Sequence, residues 1–261
     1  MKSLQEDLLK KVRNQKQTFL AGYFVAGDPG VTESIQYMKA AVREGLDVIE
    51  VGIPSGNPFL EGEVISRAHG RIISDFETEQ DTLDFLAALR KEVEVPIWIM
   101  GYSNDVVKSG LYKDIFAQNL ADCFIIPDLP LQEALELKRE LPGRLIPVIN
   151  DGMADTEITQ YVDGCPVVYC QIYRGKTGSV IPDFSSLPTF RARMRKITDA
   201  ALMAGFGIKS ARDVGQVLGA GFDGVVVGSQ IVRLIEKNNQ TSYNAFIRVL
   251  ASMKETGKIR S

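Results

Sequence analysis

Residues 201–232 read ALMAGFGIKSARDVGQVLGAGFDGVVVGSQIV. Two short apolar runs, Leu202–Phe206 and Gly224–Val227, flank a helical stretch at Ser210–Leu218, and a glycine follows each run. Both runs are continuously apolar rather than alternating, as strands of a parallel sheet are when both faces are covered. Strand, helix and strand within roughly thirty residues make a parallel crossover unit.

The same rhythm extends back to the N-terminus. Apolar runs recur at Phe19–Val25, Val48–Val51, Ile97–Met100, Cys123–Ile126, Leu145–Ile149 and Val167–Cys170. Helical patterns lie between them at Thr32–Glu44, Thr82–Val93 and Leu131–Leu141, with Thr32 placed to cap the first. Gly45, Gly143 and Gly219 stand where helices should end. Eight strands with intervening helices predict an α/β fold of the TIM (β/α)8 barrel type, and an open doubly wound sheet is the alternative. No linker or change of composition divides the chain. Residues 1–261 are therefore expected to form a single barrel domain preceded by an N-terminal helix.

Composition removes several function classes. Thirty basic against 33 acidic residues leave a net charge of −3, without the basic excess of a nucleic-acid binder. No segment approaches the ~20 apolar residues of a membrane span, and residues 1–17 lack an apolar signal core. A cytoplasmic protein is expected. Cys123, Cys165 and Cys170 have no metal-like spacing and are read as buried thiols. His69 is the only histidine, which excludes mechanisms that need two. Neither a metal nor a cofactor is implied.

In such a barrel the residues following the strand C-termini face the active site. Those selected are Asp28, Glu50, Glu61, Asp128, Tyr169, the run YRGKTGS at 173–179, Gly205-Phe206-Gly207-Ile208 and Gly228-Ser229. The glycines after strands 7 and 8 suit a phosphate held by backbone N–H groups, which a Cβ would keep at a distance. Thr177-Gly178, with Arg174 and Lys176, adds donors and charge, so a phosphorylated small molecule is the expected ligand. Glu50 interrupts an apolar strand, DVIEVGI, and burial should raise its pKa into a range useful for proton transfer. A structural carboxylate satisfied by a neighbour is the alternative. Asp28 is read as a helix cap, Trp98 as barrel core, and Tyr169 as either core or hydroxyl donor.

Taken in order, FVAGDPG, DVIEVGIPSGNPFLEGEVI, IPDLP, KTG, GFGI and VVVGSQIV resemble the tryptophan synthase α-subunit family from about Phe19 to Asn238. The resemblance implies a lyase that splits indole-3-glycerol phosphate into indole and glyceraldehyde 3-phosphate by a cofactor-free retro-aldol reaction. It implies Glu50 as the catalytic carboxylate, Glu61 at the position of the second family carboxylate, and Tyr169 as the active-site tyrosine. Gly178, Phe206, Gly207, Gly228 and Ser229 match the phosphate cradle, and Thr177 the loop-closing threonine. A β subunit is the implied partner, docking on the second loop and the loop around Asp128.

The second loop departs from the family pattern PFSDPxADGP. Ser55-Gly56-Asn57 replace Phe-Ser-Asp, Glu61 replaces an aspartate, and Glu63 replaces the closing proline. Together with the polar Asn150-Asp151 after strand 5, these changes raise two alternatives: another phosphorylated substrate, or a weakly catalytic subunit that activates a partner.

Overall fold

A computed structural model describes residues 3–172 and 184–256. Its strands are β1 (Phe19–Val25), β2 (Val48–Gly52), β3 (Ile97–Met100) and β4 (Cys123–Ile125), then β5 (Val148–Asn150), β6 (Val167–Gln171), β7 (Ala201–Gly205) and β8 (Gly224–Val227). Helix α1 (Leu4–Gln15) precedes β1. The helices of the first half are α2 (Val31–Arg43), α3 (Glu63–Ile72), α4 (Glu79–Glu92) and α5 (Leu111–Ala117). Those of the second are α6 (Leu131–Glu140), α7 (Asp155–Val162), α8 (Leu187–Ile197), α9 (Ala211–Gly219), α10 (Ser229–Glu236) and α11 (Gln240–Thr256). No described helix is long and apolar enough to cross a membrane.

The strands follow the order β4-β3-β2-β1-β8-β7-β6-β5, and their ladders are parallel. Pairing of β1 with β8 joins the two halves. The seam between β4 and β5 closes at its base, where the Phe124 N–H donates to Arg144 O and the Ile146 N–H to Phe124 O, each at 2.8 Å. The result is a nearly closed (β/α)8 barrel.

Alternate residues of each strand separate two apolar layers. Phe19, Ala21, Tyr23 and Val25 of β1 point inward with Val48, Trp98, Cys123, Val167 and Met203. Leu20 and Phe24 point outward into the layer under the helices, with Ile49, Ile99, Val168 and Leu202. Leu8, Leu9 and Val12 of α1 join the inner layer and plug the base of the barrel. Trp98 is barrel core, as expected, and its Nε1–H donates to Gln5 Oε1 of α1 at 2.7 Å. The three cysteines are buried free thiols.

Several boundaries differ from the sequence expectation. Regular β5 pairing starts at Val148 rather than Leu145, because Pro147 has no N–H to give to a ladder. Strand β7 ends at Gly205, since Phe206 turns to φ +74°. Helix α2 begins at Val31 with Gly30 at the cap position, so Thr32 lies inside the helix. Helix α4 starts at Glu79 rather than Thr82, because Thr78 and Asp81 form a capping box.

Candidate active site

Val48 and Glu50 lie on the inward face of β2, and Glu50 stands in register with Tyr23 of β1 and Trp98 of β3. Glu50 is 1% exposed, and its Oε2 has no hydrogen-bond partner among the described residues. Burial, and secondarily the nearby Glu61 carboxylate, push its pKa up to about 8. An isolated buried carboxyl of this kind holds a proton near neutral pH and can give it up to a bound reactant.

Glu50 opens into a pocket of about 400 Å³, mouth included, at the C-terminal end of the barrel. Glu61, Tyr169, Phe206, Gly207, Gly228 and Ser229 line the same pocket. The expected carboxylates, the tyrosine and the described residues of the expected phosphate cradle thus line one cavity, whereas Asp28 and Asp128 do not. Thr177 and Gly178, with Arg174 and Lys176, lie outside the described residues.

Each wall has a local cause. The Tyr169 ring lies over Gly205 of the neighbouring strand, where a Cβ would come within 2.1 Å of the hydroxyl. It also meets Phe206 edge-on, with centroids 5.7 Å apart. Desolvation first, then Glu50 and Glu61, raise the Tyr169 pKa well above that of a free tyrosine, so the hydroxyl keeps its proton. Phe206 and Gly207 have φ of +74° and +82°, left-handed values that glycine adopts freely and a phenylalanine seldom does. Gly228 occupies the N-cap of α10, with Ser229 as the buried first helical residue. The N–H groups of that first turn lack intrahelical acceptors and favour an anion.

The second loop is held from both sides although its sequence is altered. The Ser55 N–H donates to His69 Nδ1 at 3.1 Å, and the Leu60 N–H to Tyr102 Oη at 3.2 Å. The Glu61 N–H donates to Pro58 O at 3.0 Å. This frame delivers the longer Glu61 side chain to the Glu50 pocket.

The remaining wall is apolar, formed by Ile65, Met100, Ile208 and Val226. Asn150 lines a separate cavity beside Tyr161 and Gln171, and its Oδ1 accepts the Gly152 N–H at 3.0 Å. The Asn150 carbonyl oxygen is therefore spent on its own turn.

Asp28 is corrected: it does not cap α2 but forms a two-pronged ion pair with Arg71 of α3, at 2.8 and 2.9 Å. Asp128 accepts from the Ser103 backbone N–H and from its hydroxyl, both at 2.8 Å. Sequence reading missed Tyr23 as a pocket wall. Its signal was its inward parity in β1, which only the register opposite Glu50 converts into proximity.

A family model described as the tryptophan synthase alpha chain matches residues 9–259. A tryptophan synthase alpha chain from Methanosarcina mazei is 32% identical over 259 residues, covering 96% of this chain and 93% of the relative. One from Desulfatibacillum aliphaticivorans is 33% identical over 237 residues, 87% of each. Among solved structures, a Mycobacterium tuberculosis tryptophan synthase chain superposes with a TM-score of 0.82 at 26% identity, covering 95% of this chain and 96% of its own.

Proposed function

The chain belongs to the tryptophan synthase alpha chain family, and from that premise we propose how it cleaves indole-3-glycerol phosphate to indole and glyceraldehyde 3-phosphate. The carrying observation is the pocket that holds Glu61 and Glu50, whose Oε2 has no hydrogen-bond partner among the described residues, between an apolar wall and the Phe206–Gly207 and Gly228–Ser229 turns.

The phosphate sits against those two turns, and the indole ring lies against Ile65, Met100 and Val226. Glu50, protonated near neutral pH, delivers its proton to indole C3. Positive charge develops at N1, and Glu61 stabilises it by taking the N1 proton. Glu50, now a carboxylate, removes the proton from the hydroxyl on the glycerol carbon attached to the ring. A carbonyl forms there and the C–C bond breaks. Its electron pair returns through the ring to N1, which recovers its proton from Glu61. Both carboxyl groups end as they began, so no co-reactant is consumed. Tyr169 borders Glu50 as a neutral hydroxyl, suited to orient the reacting chain.

A fused two-ring system asks for apolar walls. The lining favours indole over a second anionic group, because Asn150 faces another cavity. The β-subunit partner fits the face formed by the second loop and the Asp128 loop, where Phe59 is 47% exposed against Tyr102.

The test is release of glyceraldehyde 3-phosphate from indole-3-glycerol phosphate by the purified chain, with and without a β subunit. Release that vanishes in Glu50→Gln is expected, with acceleration by β. Absence of release in both conditions, with glycerol phosphate still bound, would assign the pocket to another substrate.

A further inference from the structure

Tyr23, His69 and Ser55 form a buried chain that the mechanism above leaves unused. Helix α3 turns Ile65, Ala68, His69 and Ile72 toward the barrel, and His69 is 2% exposed. The Ser55 backbone N–H reaches His69 Nδ1 at 3.1 Å, and Tyr23 Oη stands 3.3 Å from His69 Nε2.

Proton bookkeeping gives this chain a direction. A backbone N–H can only donate, so Nδ1 must present a lone pair. A neutral imidazole with a bare Nδ1 carries its proton on Nε2. Were the Tyr23 O–H to donate to Nε2 as well, both ring nitrogens would be unprotonated and the ring an anion. Tyr23 Oη is therefore the acceptor, and its own proton is left to point elsewhere. Burial holds the His69 pKa down to about 4, which keeps the ring neutral through the physiological range.

The space for that proton is limited. The Tyr23 hydroxyl lies over Gly52, where a Cβ would come within 2.2 Å of it. Its ring stands against Gly228, and Tyr23 lines the same cavity as Glu50 and Glu61. Glu50 Oε2 takes no hydrogen bond among the described residues, so the Tyr23 proton is not spent on it. We propose that Ser55, His69 and Tyr23 form a directed hydrogen-bond chain that presents the Tyr23 O–H to a hydroxyl or carbonyl oxygen of the bound substrate. Tyr23 is then a substrate-contacting donor that selects for an oxygenated chain between ring and phosphate, and His69 is its positioning residue. The assignment rests on the indole-3-glycerol phosphate reading of the pocket.

Two measurements test it. Because His69 is the only histidine, 15N labelling of histidine gives a single imidazole in the NMR spectrum. The proton is expected on Nε2 at pH 7, and a proton on Nδ1 would overturn the chain. The second measurement is equilibrium binding in a Glu50→Gln background, which holds substrate without turning it over. Indole-3-glycerol phosphate is compared there with 3-(indol-3-yl)propyl phosphate, which lacks the chain hydroxyls. Adding Tyr23→Phe should weaken the first ligand about tenfold, the scale of one lost hydrogen bond, and leave the second unchanged. His69→Gln, which retains a donor and an acceptor, should keep the preference, while His69→Phe should lose it.

Equal weakening of both ligands by Tyr23→Phe would reduce the chain to a structural tie and end the proposal. If indole-3-glycerol phosphate fails to bind the Glu50→Gln parent, the substrate reading alone falls. Glycerol 3-phosphate against propyl phosphate then decides Tyr23 by the same criterion.

Discussion

Glu50 shows how one residue sets a pH dependence. Its folded pKa lies near 8, against an ordinary 4.5, because burial disfavours the carboxylate and Glu61 repels it. In the proposed mechanism the reaction begins from protonated Glu50, so kcat/KM should fall as pH rises through about 8. Glu61→Gln removes the like charge, and the limb of its residual activity should move to lower pH. A pH–rate profile of both proteins checks this, and an unmoved limb would separate the two carboxyls. The stability sign runs with it. A raised folded pKa contributes stability below pH 4.5 that is lost as pH climbs through 8. Glu50→Gln should accordingly gain in Tm relative to the parent over that window.

At the scale of elements, three aspartates repeat one device at the base of the barrel. Asp47, Asp122 and Asp223 each immediately precede an even-numbered strand. Their backbone N–H groups donate to Leu20, Ile97 and Leu202 of the preceding odd-numbered strand, and their carboxylates accept the N–H of the same residue. A cation completes each site: Lys254, Arg90 and Arg195 respectively. Pro166 takes the equivalent place before β6, where the device is missing. The Asp122 pair is the most enclosed, with side chains 12% and 21% exposed. Asp122→Ala should cost about 2 kcal/mol, because the Ile97 N–H and Arg90 lose a buried acceptor. Asp47→Ala, at a side chain 30% exposed, should cost nearer ~1 kcal/mol. Urea unfolding of the two variants checks the ranking, and equal losses would show that burial does not govern the staple.

Across the whole molecule, closure is uneven. Strand β1 has full ladders on both sides, whereas β4 and β5 meet through the Phe124 bridge alone. Opening should therefore begin at that seam. In hydrogen exchange followed by mass spectrometry, amides of β4 and β5 should exchange before those of β1, and the reverse order would locate the weak point elsewhere. The opposite side is braced near the pocket. Arg71 of α3 joins Asp28 after β1 to Glu236 of α10, and Arg67 joins the same glutamate. This clamp ties the helix that carries His69 and Ile65 to the helix whose N-terminus bears Ser229.

Local regularities carried most of the fold into the sequence. Continuous apolar runs, separated by one helix each, have few solutions once both faces of every strand must be covered, so eight βα units were legible as a barrel. Glu50 stood out because a charged residue inside such a run needs a reason. Glycines after strands 7 and 8 marked turns that line the Glu50 pocket. What the sequence could not carry was side-chain parity across strands and the choice of partner among distant charges. Asp28 reads as a helix cap until α3 brings Arg71 beside it. Tyr23 looks like core until the register of β1 on β2 sets it opposite Glu50, and its link to His69, 46 residues away, exists only once α3 packs on the barrel. The architecture follows from hydrophobic pattern, which acts over a few neighbouring residues. The pocket depends on register and helix rotation, which exist only after the barrel has closed and fixed which side chains share its mouth.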